Sequence, residues 1–419
     1  MVAIALLVIL PISGRAQQPP CEPMPPATGS VFDVGPSDIA VLQSILDRAQ
    51  PGDAVQLADG VYALPQTLVL RRPGVTLRSK SGHRDAVVID GRYTVQDLLL
   101  IQESDVTIAD VTLTRSSWHL VHVVPERKSI AGTVLHNLRG VDGGEQFIKV
   151  NPAGGHHADA GTIRCSRLEL TDEGRANVRN NCYTGGIDIH QGRGWHITSN
   201  MISGFWCASG LSEHAIHVWA GSRDTLVERN VVADSARGIG FGLGASTAGR
   251  TYADAPCDGA PMIGHYGGAI LNNFVMAIDQ RLFGSAAGFD VGIGLEQSCR
   301  TSVLHNTVVS TRPPRSSSIE WRFPYSIATI ANNLASHSLL ERNGGRAVLG
   351  GNVEKAPVSL FANILSADLH LVPDATMAID RGVPVTGGLE ADIDGDRRDE
   401  RPDVGADEYV DRRERGSRR

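Results

Sequence analysis

The chain has 419 residues, 46 of them glycine, only 5% aromatic, and a formal net charge of −7. That balance, without a basic stripe interleaved with aromatics, argues against nucleic acid as a partner. Length alone suggests two or three domains, but elongated folds escape that rule, and so much glycine suits many short strands and tight turns.

The first 16 residues, ending "VAIALLVILPISGRA", read as a secretory signal peptide cleaved after Ala16. A membrane anchor is the alternative, but the run is short for a bilayer span, so stable membrane insertion is not expected. Residues 17–35, rich in proline, read as a linker. "PSDIAVLQSILDRAQ" (36–50) has the apolar spacing of an amphipathic helix, with Ser37 as its N-cap. "PGDAVQLADGVYAL" (51–64) then opens a series of short strands.

From residue 134 a pattern recurs: Val or Ile, two residues, then Asn. It reads "VLHN" (134–137), "ITSN" (197–200), "VERN" (227–230), "ILNN" (270–273), "VLHN" (303–306) and "IANN" (330–333), with "IRCS" (163–166) filling a gap. A period in this range marks a solenoid, in which stacked coils bury what one coil cannot. Each unit carries a second strand: "QFIKVN" (146–151), "GIDIHQ" (186–191), "HAIHVW" (214–219), "GIGFGLG" (238–244), "DVGIGLE" (290–296) and "SSIEWRF" (317–323). Helical periodicity is absent here. The pattern predicts an all-β, single-domain parallel β-helix over 36–411, capped by the N-terminal helix, with a basic tail at 412–419. Asn137, Asn200, Asn230, Asn273, Asn306 and Asn333 would stack at one inner corner, where an amide both donates and accepts. A β-propeller is the alternative, but blades usually keep steadier spacing. Insertions at 171–184, 245–266 and 277–288 are too long for simple turns and often build a binding face.

"PGDAVQLADGVY" (51–62) and "DIDGDRRDERPDVGADEY" (392–409) resemble the entry and C-terminal motifs of the right-handed parallel β-helix, pectate-lyase-like superfamily of exported bacterial proteins. The resemblance covers about residues 36–411 and implies a right-handed solenoid. Members include polysaccharide lyases, hydrolases, epimerases and noncatalytic surface proteins, so the fold leaves the chemistry open. The DPHE run of mannuronan epimerases and the RIK of polygalacturonases are not found, and the motifs of the chondroitinase B and alginate lyase family do not align. Candidate site residues therefore rest on position.

Alternate side chains on a strand point to opposite faces. With the apolar residues inward, Lys149, Asp188, His190, His217, Trp219, Ser318, Glu320 and Arg322 face out. So do Gly238, Gly240, Gly242, Gly292 and Gly294, flanked by Asp290 and Glu296. Ile319, Trp321 and Phe323 face in. Such a glycine face is either the floor of a groove, open to a sugar ring, or a surface covered by an inserted loop such as 245–266. Coils stack at about 4.8 Å, so Lys149, His190 and His217 on successive coils could act on one substrate unit. Arg237 has inward parity and would leave at the strand's entrance.

Two chemistries compete on this face. β-Elimination or epimerisation of a uronate needs a base and a cation to neutralise the carboxylate. Lys149, His190 or His217 would be the base, and Arg237 or a bound cation the neutraliser. Glycoside hydrolysis needs two carboxyl groups at a set spacing, for which Glu296 and Glu320, one coil apart, qualify. Asp188 and Asp290 are three coils apart and do not. Asp188, Trp219, Gly240, Asp290, Glu296, Glu320 and Arg322 are the candidate substrate contacts. Glu320 and Arg322 are equally read as a mutual ion pair. The basic cluster favours a lyase or epimerase on a uronic-acid polysaccharide, secreted or periplasmic. A noncatalytic glycan binder on the cell surface is the alternative. "DIDGD" (392–396) resembles a calcium loop, with a polar turn as the other reading. Six cysteines, at 21, 165, 182, 207, 257 and 299, suit an exported protein. Cys165 and Cys182, flanking 171–184, are expected to pair; several buried free thiols are the alternative.

Overall fold

A computed structural model describes residues 21–245, 249–260, 263–385 and 390–410. The expected signal peptide, the start of the linker and the basic tail lie outside them. Three long, parallel sheets of fourteen, ten and ten strands run the length of the chain. Each coil contributes in turn to each sheet. The sequence separation between paired strands follows the repeat, as where Ile148–Val150 pairs with Ile187–Ile189 and that with Ile216–Val218. The result is a right-handed parallel β-helix.

Its core is a set of inward stacks. Ile148, Ile187, Ile216, Ile239, Ile293 and Ile319 align across six coils of one sheet, beside Val150, Ile189, Val218, Phe241, Leu295 and Trp321, all of them buried. Phe323 departs from the expected alternation. Its φ of 72° turns the chain out of the strand, and it is half-buried beside Arg322.

The asparagine ladder runs through Asn200, Asn230, Asn273, Asn306 and Asn333, and continues to Asn352. Each side-chain oxygen accepts the backbone N–H of the preceding rung at 2.9–3.0 Å. Asn137 is not a rung. Val134 pairs with Thr162, one residue before the "IRCS" run, so Asn137 sits one position early. It takes the left-handed turn position, φ 51°, and donates to Asp110, while Leu138 occupies the ladder row. Ser166 is the rung there, accepting from Leu138 and donating its own backbone N–H to Asn200.

The solenoid begins earlier than residue 36. Val31–Val34 already pairs with Ala54–Leu57. The linker is also tied down: Cys21 is bonded to Cys165, and the Pro25 carbonyl accepts from Arg78. The capping helix spans Ile39–Arg48 after a short turn at Pro36–Asp38, so Asp38 rather than Ser37 precedes it. Leu42, Ile45 and Leu46 of that helix close the open end of the core.

The expected Cys165–Cys182 pair does not form. The disulfides are Cys21–Cys165, Cys182–Cys207 and Cys257–Cys299. Cys165 lies on the turn that faces the N-terminal segment, whereas Cys182 lies on the insertion above a different sheet. Among the described residues, no helix is long and apolar enough to cross a membrane. In the C-terminal turn, Asp392 accepts the backbone N–H groups of Asp394, Asp396 and Glu408, so its oxygens serve the turn itself. Burial pushes its carboxyl up to about 6.

Candidate functional site

The site grows from one outward row on the second sheet. Strands Val121–Val123, Ile148–Val150, Ile187–His190, Ile216–Trp219, Arg237–Phe241, Val291–Glu296 and Ser317–Arg322 bring His122, Lys149, Asp188, His217, Gly240, Gly294 and Glu320 into register. His190 and Trp219 form the neighbouring row, two residues on. Parity is as expected, but Asp188 rather than His190 stands between Lys149 and His217.

Outward does not mean exposed here. Lys149 is 4% exposed, Asp188 1% and His217 0%. The Lys149 ammonium donates to Asp188 and to Tyr183 Oη at 3.1 Å, and it lies 3.0 Å from His190 Nε2. Burial opposes its charge, yet Asp188 and Tyr183 outweigh burial and raise its pKa. Lys149 is therefore a held cation and not a free base. Burial would favour a neutral Asp188, but Lys149, His190 and His217 carry its carboxyl well below the usual range. Trp219 Nε1–H donates to Asp188 Oδ1 at 2.9 Å. His190 is the member that reaches solvent, at 15% of its side chain. Its Nε2 lies 3.2 Å from Asp188 Oδ2, and its ring meets Trp219 edge-on at 4.3 Å.

His217 cannot touch a substrate. The segment 211–215 folds over it, its Nε2 lies 3.0 Å from the Gly242 carbonyl, and its Nδ1 lies 3.2 Å from Glu213 Oε2. Burial lowers its pKa and Glu213 more than restores it, so the net direction is up. The glycine face is covered too, which removes Gly240 as a sugar floor. A Cβ on Gly240 would lie 2.6 Å from the ring of His214. Gly238 and Gly292 do not share that face as expected: a Cβ on Gly238 would lie 2.8 Å from the side chain of Val275, and one on Gly292 2.4 Å from that of Val308, both core residues. Among the described residues, the cover over Gly240 and Gly294 is His214, from the segment just before His217, and Gly264, near the end of the 245–266 insertion, backs onto Gly242. His214 is buried, and burial drives its pKa well below the ordinary value.

The remaining candidates form separate pairs. Arg237 leaves its strand and donates to Asp290 at 2.9 Å, beside a hollow of about 260 Å³ lined by Gly210, Leu211, Ala286, Ala287 and Asp290. Arg322 donates to Glu296 at 2.8 Å and also lies 3.7 Å from Glu320. Glu320 further accepts from Arg342 and Ser316, and Glu296 from the Gly244 backbone N–H. The two carboxylates considered for hydrolysis are thus committed to arginines. Tyr183 escaped the sequence reading because it sits on the 171–184 insertion, and Glu213 and His214 because they precede the strand, which begins only at Ile216, where parity says nothing. The spacing Glu213-His214-x-x-His217 was the available signal.

No family model matches the chain, and no curated protein matches its sequence. Solved structures share its fold. The pectate lyase Pel9A superposes with a TM-score of 0.55 at 14% identity, over 92% of this chain and 98% of that one. An alginate lyase from Paenibacillus sp. str. FPU-7 gives 0.52 at 15% identity, over 78% and 99%. Likeness at that identity establishes the parallel β-helix fold.

Proposed function

We propose that the protein is an exported lyase that cleaves a uronic-acid polysaccharide by β-elimination at His190. The supporting observation is that His190 brings a buried, charged network to the surface, with an aromatic ring beside it. In the tautomer that donates Nε2–H to Asp188, the His190 Nδ1 keeps its lone pair, as a proton acceptor must. His190 takes the proton alpha to the uronate carboxylate. The C–H electrons form the ring double bond, the glycosidic C–O bond breaks, and the Tyr183 phenol protonates the leaving oxygen. Lys149 holds Tyr183 and Asp188 and supplies positive charge beneath the carboxylate. Trp219 offers a face for a sugar ring. Pairing of all six cysteines fits an oxidising compartment, and the structures with the same fold include lyases of pectate and alginate.

The test is a panel of uronic polysaccharides followed by the ultraviolet absorbance of the unsaturated product. Product should appear, and His190→Ala should lose about 10²-fold or more in kcat while melting like the wild type. Full rate in His190→Ala, or no product on any polymer, overturns the proposal. A noncatalytic glycan binder is the second reading, favoured by the pairing of Arg237 and Arg322 with carboxylates on the same face. Retardation in polysaccharide gels without product would select it.

A further inference from the structure

Segment 211–217 brings three metal-ligand side chains to one buried point. Glu213, His214 and His217 each offer a ligand atom, and these atoms lie within 4.8 Å of one another. Glu213 Oε2, His214 Nδ1 and His217 Nδ1 are buried, and none has a hydrogen-bond partner among the described residues. Leaving such groups unpaired is costly, at about 1–3 kcal/mol each. The approach of His217 Nδ1 to Glu213 Oε2, 3.2 Å, is short but not aligned as a hydrogen bond. It matches the separation of two ligands on one ion: at tetrahedral zinc, with bonds of about 2.0–2.1 Å, ligand atoms stand about 3.3 Å apart.

The surroundings complete the pattern. His217 Nε2 faces the Gly242 carbonyl at 3.0 Å, so Nε2 carries the proton and Nδ1 keeps its lone pair. Metal-binding histidines are oriented in this way. The His214 ring fits because Gly240 has no side chain. Asp188 Oδ1 stands 3.9 Å from His217 Nδ1 and is itself oriented by Trp219, so its negative charge lies beside the site. Arg237 is the nearby opposing charge, and it is neutralised by Asp290.

We infer that Glu213, His214 and His217 bind a divalent transition-metal ion. Two imidazoles and a carboxylate select zinc or a neighbouring first-row metal over calcium, which takes oxygen ligands. The ion would pin segment 211–217 over the glycine face and connect, through Asp188, to Lys149 and His190. The inference does not depend on the lyase reading.

Tag-free protein, stripped with a chelator and dialysed, would be titrated with Zn²⁺ and Ca²⁺ by calorimetry and with Co²⁺ by visible absorption. The expected result is one equivalent of Zn²⁺ per chain, tetrahedral ligand-field bands with Co²⁺, and no Ca²⁺ uptake at this site. Glu213→Gln and His214→Gln should each weaken Zn²⁺ binding by more than about 100-fold. Glu213 keeps 21% of its side chain exposed, so its variant is the one that folds if His214→Gln does not. His119→Gln, which disrupts the separate Asp97–His119–His122 group, should leave the equivalent in place. The inference is overturned if stripped wild type takes up no transition metal, if Glu213→Gln retains full affinity, or if His119→Gln removes the ion. Metal uptake is the readout, so a failed polysaccharide panel leaves it standing.

Discussion

Burying Lys149 against Asp188 commits both charges to each other. Breaking a buried pair from one side strands the other charge and costs about 3–5 kcal/mol. Asp188→Asn should therefore shift the urea midpoint strongly, whereas Lys149→Met with Asp188→Leu should recover much of the loss. A single-variant cost near zero would show that the pair relaxes into water. Two other buried side chains act through pH. His265 stacks on Phe241 at 3.9 Å and lies within hydrogen-bond distance of the Gly267 carbonyl and Thr225 Oγ1. His305 sits against the Asp403 carbonyl and the Asn332 amide. Burial lowers each from 6.5 to about 3. A depressed folded pKa means that the unfolded chain takes up protons first. Stability is complete above pH 6.5 and is lost as pH falls toward 3, by about 1.4 kcal/mol per pH unit for each histidine. Melting temperatures measured from pH 7 to 4 should fall accordingly, and His265→Gln should flatten the slope. An unchanged slope in that variant would assign the acid sensitivity to other groups.

At the scale of the coil, the ladder is the element most open to test. Asn230 accepts two N–H bonds from Asn200 and donates its amide to Ile197, Glu228 and Asn273. It is fully buried, so Asn230→Ala leaves several groups unpaired, at about 1–3 kcal/mol each. A clear drop in melting temperature is expected, and wild-type melting would contradict the ladder. This element was legible because a stacked amide must recur at one position per coil, and the strands because apolar residues alternate. Asn137 misled for a physical reason: asparagine also suits the left-handed turn residue that precedes the ladder row. The candidate site was legible only in part. Strand parity found Lys149, Asp188, His190 and His217, but not what lies over them. Tyr183 arrives on an insertion and His214 on the segment before Ile216, whose paths depend on the folded surface, and the glycine run recorded the arrival of His214 without naming it.

Across the whole molecule, the site sheet has ten strands, about 43 Å at a coil spacing of about 4.8 Å. The solenoid body is held by stacking, so insertions contribute little to its stability and much to its surface. Cys182–Cys207 is the clearest case. It joins the insertion that carries Tyr183 to the segment that leads to Glu213 and His214, closing a loop with a sequence separation of 25. In chain-entropy terms a loop of that size is worth about 3.5 kcal/mol, but here the coils on both sides are already fixed by their sheets. The cross-link therefore restrains the cover more than it stabilises the body. Replacing both cysteines with serine should speed amide hydrogen exchange at 180–184 and 207–215 by at least about tenfold. Exchange at the buried asparagine rungs should stay at wild-type rates, because opening those requires unfolding of the coils. Faster exchange along the rungs would mean that the bridge supports the solenoid itself. No change at either place would mean that the cover is held by its own contacts, with Lys149 on Tyr183 and His214 on the glycine face sufficient without the sulfur bridge.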